Sequence, residues 1–91
     1  MSLKWTSKAH GDLARLHGFL SEVDPGAAAR AVRLILAGVR RLAAHPRLGS
    51  RLAEFQPREV RRIIVGDYEV RYEIVNGDLI VLRLWHLRED R

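Results

Sequence analysis

The chain predicts an α+β fold: one strand, an antiparallel pair of helices, then a three-stranded antiparallel meander. Three observations carry this. Between Ala9 and Ala43 apolar residues recur at intervals of three and four, the period of an amphipathic helix. From Tyr68 to Ile74 they alternate one by one, the period of a half-buried strand. Asn76-Gly77 separates two strand-like runs, and both residues tolerate the positive φ of a type I′ hairpin turn.

The elements follow in order. Residues 2–6 place Leu3 and Trp5 between polar neighbours, as a short half-buried strand does. Ser7 is the expected cap of the first helix, whose apolar positions are Ala9, Leu13, Leu16, Leu20 and Val23. Asp24-Pro25 breaks the chain and restarts it, with Asp as N-cap and Pro at the first helical position. The second helix carries one apolar stripe: Ala28, Val32, Ile35, Leu36, Val39, Leu42 and Ala43. Arg30, Arg33, Arg40 and Arg41 lie largely off it. His45-Pro46 ends this helix, since a residue before proline is pushed out of the α region. A linker with at most a turn of helix spans 46–57. Three strands then run from Val60 onward, the last (79–87) apolar on both faces except at Arg83 and His86, as suits a central strand. A two-residue turn at 76–77 puts Val70 opposite Arg83, Tyr68 opposite Trp85 and Asp67 opposite His86. A three-residue turn would instead set Arg83 on the face of Glu69, Arg71 and Glu73. The two-residue turn is the expectation.

Ninety-one residues suit one domain, 1–91, with one core. The absence of cysteine excludes disulfides and thiolate metal sites. No apolar run approaches the ~20 residues of a membrane span, and Met1–Leu16 lacks a signal-peptide pattern. A cytoplasmic location is expected, with no membrane partner. Charge is uneven. Residues 30–62 hold nine arginines against two glutamates, a net +7, and the rest of the chain is −2. Such asymmetry points to an acidic partner, either nucleic acid or an acidic protein segment.

No phosphate-cradling glycine loop and no His-Glu-x-x-His is present, and His10, His17, His45 and His86 lack metal-site spacing, so no metal or other cofactor is expected. His10 and His17 should face solvent. Arginine, tyrosine and one histidine remain. Arg61 and Arg62 are adjacent in a strand and point to opposite faces, so only one shares a surface with Arg71 or Arg83. Guanidinium forks bind carboxylate or phosphate alike; the alternative for Arg71 is pairing with Glu59, Glu69 or Glu73. Tyr68 and Tyr72 fall on the apolar alternation and belong to the core.

In this order the residues resemble the RelE/ParE superfamily of bacterial type II toxins. The resemblance rests on Trp5-Thr6-x-x-Ala9 with Asp12-Leu13, the Ala-rich second helix, and Leu42-x-x-x-Pro46-x-Leu48-Gly49. It continues through Val60-Arg61-Arg62, Gly66-Asp67-Tyr68-Glu69-Val70-Arg71-Tyr72, and His86-Leu87-Arg88-Glu89-Asp90. It spans almost the whole chain. It implies one small four-stranded sheet packed on the two helices.

The superfamily implies two activities. RelE-like members are ribosome-dependent mRNA endonucleases that hold the scissile phosphate with basic and tyrosine side chains. ParE-like members inhibit DNA gyrase and lack that set. Here Glu69 stands where the nuclease pattern has an arginine, Val60 replaces a second basic residue, and no tyrosine follows Tyr72. A carboxylate in a phosphate site would repel the charge that the arginines stabilise. The resemblance therefore implies a ParE-like toxin with no catalytic residue. It would act on gyrase by protein contact, and a cognate antitoxin would neutralise it, its C-terminal segment wrapping the helical hairpin and sheet. Operator DNA would be met only through the antitoxin. The candidate antitoxin- or target-binding residues are Arg33, Arg40, Arg58, Arg61, Arg62, Arg71, Arg83 and Arg88. The first alternative is a ribosome-dependent mRNA endonuclease using Arg62, Arg83, Arg88 and His86; the second is a non-toxic, antitoxin-binding corepressor. The reading against catalysis weakens if Glu69 lies far from Arg62 and Arg83.

Overall fold

The computed structural model describes residues 1–89. Strand β1 (Ser2–Trp5) leads into helices α1 (Ser7–Val23) and α2 (Pro25–Ala44). Then come β2 (Ser50–Arg51), a 3-10 turn (Ala53–Phe55), β3 (Glu59–Val65), β4 (Tyr68–Val75) and β5 (Asp78–His86). The strands form one sheet in the order β1-β5-β4-β3-β2. β1 runs parallel to β5; every other neighbouring pair is antiparallel. The α+β class and element order are as the sequence predicts, with five strands rather than four. The addition is β2, two residues that pair with Arg61 and Arg62. Two residues are too few for an alternating pattern to register.

Local chemistry sets the boundaries. The cap of α1 is Thr6 rather than Ser7: its Oγ1 accepts from Ala9 N at 3.0 Å and donates to Leu82 O at 2.8 Å. Asp24 caps α2 through Gly26 N, with Pro25 at the first position, as expected. Between β3 and β4, Gly66 alone takes positive φ (+59°), whereas Asn76 and Gly77 both do (+52° and +78°) in the predicted I′ manner.

The core lies between the helices and one sheet face. Ala9 and Leu16 of α1 and Ile35, Val39 and Leu42 of α2 meet Val70, Tyr72, Leu79, Val81 and Leu84. Gly38 lets α2 approach β3, since a Cβ there would lie 2.7 Å from Val65. Tyr68 and Tyr72 are buried in this core. Val23 and Ala43, predicted on apolar stripes, are exposed instead, although Leu42 beside Ala43 is fully buried.

The hairpin turn is the expected one, yet the register it sets does not persist. Val75↔Asp78 to Tyr72↔Val81 follow the two-residue turn; then a bulge between Arg71 and Tyr72 slips the pairing by one. Leu82 is the extra residue on β5. Arg83 therefore faces Arg71, Leu84 faces Val70, Trp85 faces Glu69 and His86 faces Tyr68, and the three predicted pairs are corrected accordingly. The bulge falls where β1 ends and Thr6 takes over its edge, through Thr6 N to Val81 O and Thr6 Oγ1 to Leu82 O.

Candidate functional site

The slip gathers charge on the sheet face opposite the helices. Arg62, Arg71 and Arg83 stand in one cross-strand row, and Glu69 follows on the same face of β4. Glu69 is fully buried. Its Oε2 accepts from Arg71 Nε at 2.9 Å and its Oε1 lies 3.7 Å from Arg62 Nη1. Arg71 pairs within its own strand with Glu69, and not with Glu73 on the same strand or Glu59 on β3. Its guanidinium also lies 4.9 Å from the Trp85 ring and 6.0 Å from Phe55.

Arg83 turns around the sheet edge to Asp12 of α1. Its Nε and Nη2 meet the two carboxylate oxygens at 2.8 and 3.0 Å, and Leu84 N donates to the same group. Asp12 is buried where β5 has outrun β1, so its carboxylate stands in for the missing strand. Burial alone would raise its pKa, but Arg83, the Leu84 amide and Arg15 together hold it below the usual range. Arg58 forks onto Glu73, holding that carboxyl low. Arg61 points to the other face, as its adjacency to Arg62 requires. It bonds Glu59 and donates to Gly49 O at 2.7 Å, pinning the linker after α2.

On the helix side, a cavity of about 510 Å³ opens between α1 and the end of β5. Leu16, Leu20 and Tyr68 line it together with exposed Phe19, and Arg15, His86, Arg88 and Glu89 complete it. His86 packs edge-on to Tyr68, 5.4 Å between centroids, and its Nδ1 accepts from Arg88 N. Glu89 bonds Arg15 at 2.7 Å and lies under the His86 amide, which together hold it below the usual range against the effect of burial.

The nuclease candidates are therefore split. Arg62 and Arg83 share the outer face, whereas His86 and Arg88 belong to the groove on the helix side. Glu69 lies with Arg62 and beside the residue that faces Arg83. Asp90, last of the His-x-Arg-x-Asp segment, lies outside the described residues. Arg33 and Arg40 are exposed on α2. His10 and His17 are also exposed. Among the described residues no group of three His, Asp or Glu is placed to hold a metal ion, and no helix is long and apolar enough to cross a membrane.

Ion pairing sorts the arginines. Arg58, Arg61, Arg62, Arg71 and Arg83 of the sheet region each have a carboxylate within 4 Å. Arg33, Arg40 and Arg41 of α2, with Arg51 and Arg88, have none among the described residues. Helix α2 contains no acidic residue. Among the described residues the arginines without a carboxylate lie mainly on α2, with Arg51 on the short edge strand β2 and Arg88 just after β5.

A family model described as "ParE toxin of type II toxin-antitoxin system, parDE" matches residues 3–91. The chain belongs to this family. A curated relative, "Toxin RelE2" of Caulobacter vibrioides, is 30% identical over 82 residues, 90% of each chain. A solved structure described as "Chromosomal ParDE TA system from P. aeruginosa" aligns with TM-score 0.77 and 26% identity, over 94% of this chain and 95% of that one. The protein is thus a ParE-family toxin of a type II toxin–antitoxin system, and membership implies a cognate antitoxin as partner.

Sequence reasoning did not single out Asp12, Arg15, Phe19 or Glu89 as site residues. Asp12 carried a signal in the Asp12-Leu13 pair. Nothing in the sequence alone pairs Arg15 with Glu89, because the contact joins residues 74 apart.

Proposed function

We propose that this toxin acts by protein–protein contact, with DNA gyrase as its target, and that its antitoxin neutralises it by covering the basic face of α2 and the adjoining groove. The observation that carries this is the placement of charge. The sheet arginines are neutralised from within by Glu69, Glu73, Glu59 and Asp12, and leave no converging set to hold a scissile phosphate. The arginines without a carboxylate lie mainly on α2, where an acidic segment finds them available. Purified toxin is expected to inhibit gyrase supercoiling, and added antitoxin to relieve it. No inhibition at saturating toxin overturns the reading.

The second reading, ribosome-dependent mRNA cleavage, is supported by the Caulobacter relative, which bears a RelE name. Primer extension on translated mRNA after induction separates the two. Codon-specific cuts that vanish in R62A and R83A would establish cleavage. A non-toxic corepressor, the third possibility, is excluded if expression alone arrests growth.

A further inference from the structure

Three arginines stand opposite one another across three strands, Arg62 to Arg71 to Arg83. Like charges facing across a sheet repel, so the row requires anions. Arg83 has Asp12, which engages both its Nε and Nη2. Arg62 and Arg71 have Glu69. This carboxylate is fully buried in the middle of the face turned away from the core, with Ile64 and Trp85 directly across from it on the two neighbouring strands. Arg71 is also held by rings: Trp85 at 4.9 Å and Phe55 at 6.0 Å constrain its guanidinium through contacts that do not involve Glu69.

We infer that Arg62 and Arg71 form an oxyanion-binding site whose occupant is the protein's own Glu69 carboxylate, and that removing this carboxylate makes the outer sheet face bind phosphate. The chemistry is one of substitution. A guanidinium donates to a carboxylate or a phosphate oxygen through the same N–H groups, and a site already ordered by stacking loses little entropy when it takes an external anion. Glu73 does not fill the gap, because Arg58 holds it with two hydrogen bonds. Without Glu69, the row keeps three cations and one carboxylate, Asp12. In the natural chain the internal anion keeps an arginine-rich sheet from acting as a polyanion-binding surface. This inference does not depend on the toxin's target.

The test is chemical rescue. Thermal unfolding of the full chain and of E69A is followed against inorganic phosphate, with sodium chloride holding ionic strength constant. E69A is expected to show a saturable rise in Tm of roughly 5 °C or more at tenfold excess over Kd. The natural chain should show none, and R62A/E69A should lose most of the rise. A labelled single-stranded oligonucleotide, read by fluorescence polarisation, distinguishes free phosphate from a nucleic-acid backbone as the source. Phosphate rescue supports the site whether the oligonucleotide binds or not; oligonucleotide binding to E69A adds that the face accepts a polymer. Should E69A not fold, E69S, which also vacates the space of the carboxylate, takes its place in the same titration. Equal phosphate responses in the natural chain, the single variant and R62A/E69A overturn the inference, as does no response in either Glu69 variant.

Discussion

Tyr72 shows how one side chain fixes a stretch with little regular structure. Its hydroxyl donates to Pro46 O at 2.7 Å and accepts from Gly49 N at 2.9 Å, while its ring fills the core. Burial raises its pKa from the ordinary phenol value. The Pro46-x-Leu48-Gly49 pattern thereby gains a physical reason. Gly49 is required because a Cβ would lie 2.5 Å from the Arg62 carbonyl and 2.7 Å from the Tyr72 hydroxyl. Y72F leaves a buried amide without its partner and is expected to lose about 1–3 kcal/mol in urea unfolding. G49A should lose at least as much, because one of its clashes is with backbone that cannot turn aside. Equal stability of Y72F and the natural chain would show that the linker is held elsewhere. At this scale the sequence showed that Tyr72 belonged to the core, since alternation reports a face. It did not show the hydroxyl's partners, which lie 23 and 26 residues away.

Among the elements, helices and turns were legible because their causes are local. Asp24-Pro25, His45-Pro46 and Asn76-Gly77 act through the backbone of their own neighbourhood. The slip at Leu82 was not legible, because its setting includes the end of β1, nearly eighty residues earlier in the chain. That slip moved Arg83 onto the face of Glu69 and Arg71, an arrangement that sequence reasoning attached to a different turn. Helix α2 is the opposite case. Its stripe and its arginine face both follow from a 3.6-residue period, and Arg33 and Arg40, seven residues apart, lie on one side. Because neither has an internal carboxylate, reversing them removes charge that a partner meets without disturbing a folded-state pair. R33E/R40E is expected to weaken antitoxin binding by roughly tenfold or more at physiological salt, with Tm unchanged. Calorimetric titration checks the first and thermal unfolding the second. Unaltered affinity would move the antitoxin off this face.

Over the whole molecule, the ion pairs tie stability to pH. Asp12, Glu59, Glu73 and Glu89 come from α1, β3, β4 and the turn after β5, and each is held below its ordinary pKa. For Glu59 and Glu73 the first cause is the partner arginine, Arg61 and Arg58 respectively. For Asp12 and Glu89 burial opposes the shift and is overcome. A carboxyl with a depressed folded pKa stabilises the fold fully above its unfolded value and loses that contribution as pH falls through the folded value. The unfolded values are near 3.8 for Asp and 4.5 for Glu, so the urea midpoint should hold level down to about pH 4.5 and fall steeply below it. Each protonation also frees an arginine charge in a chain already at +5, which steepens the fall. D12N should lower the midpoint at neutral pH, because Arg83 loses its counter-ion, and should flatten the acid limb, because one of the titrating groups is gone. A midpoint unchanged from pH 7 to pH 3 would mean that these pairs do not hold the fold together.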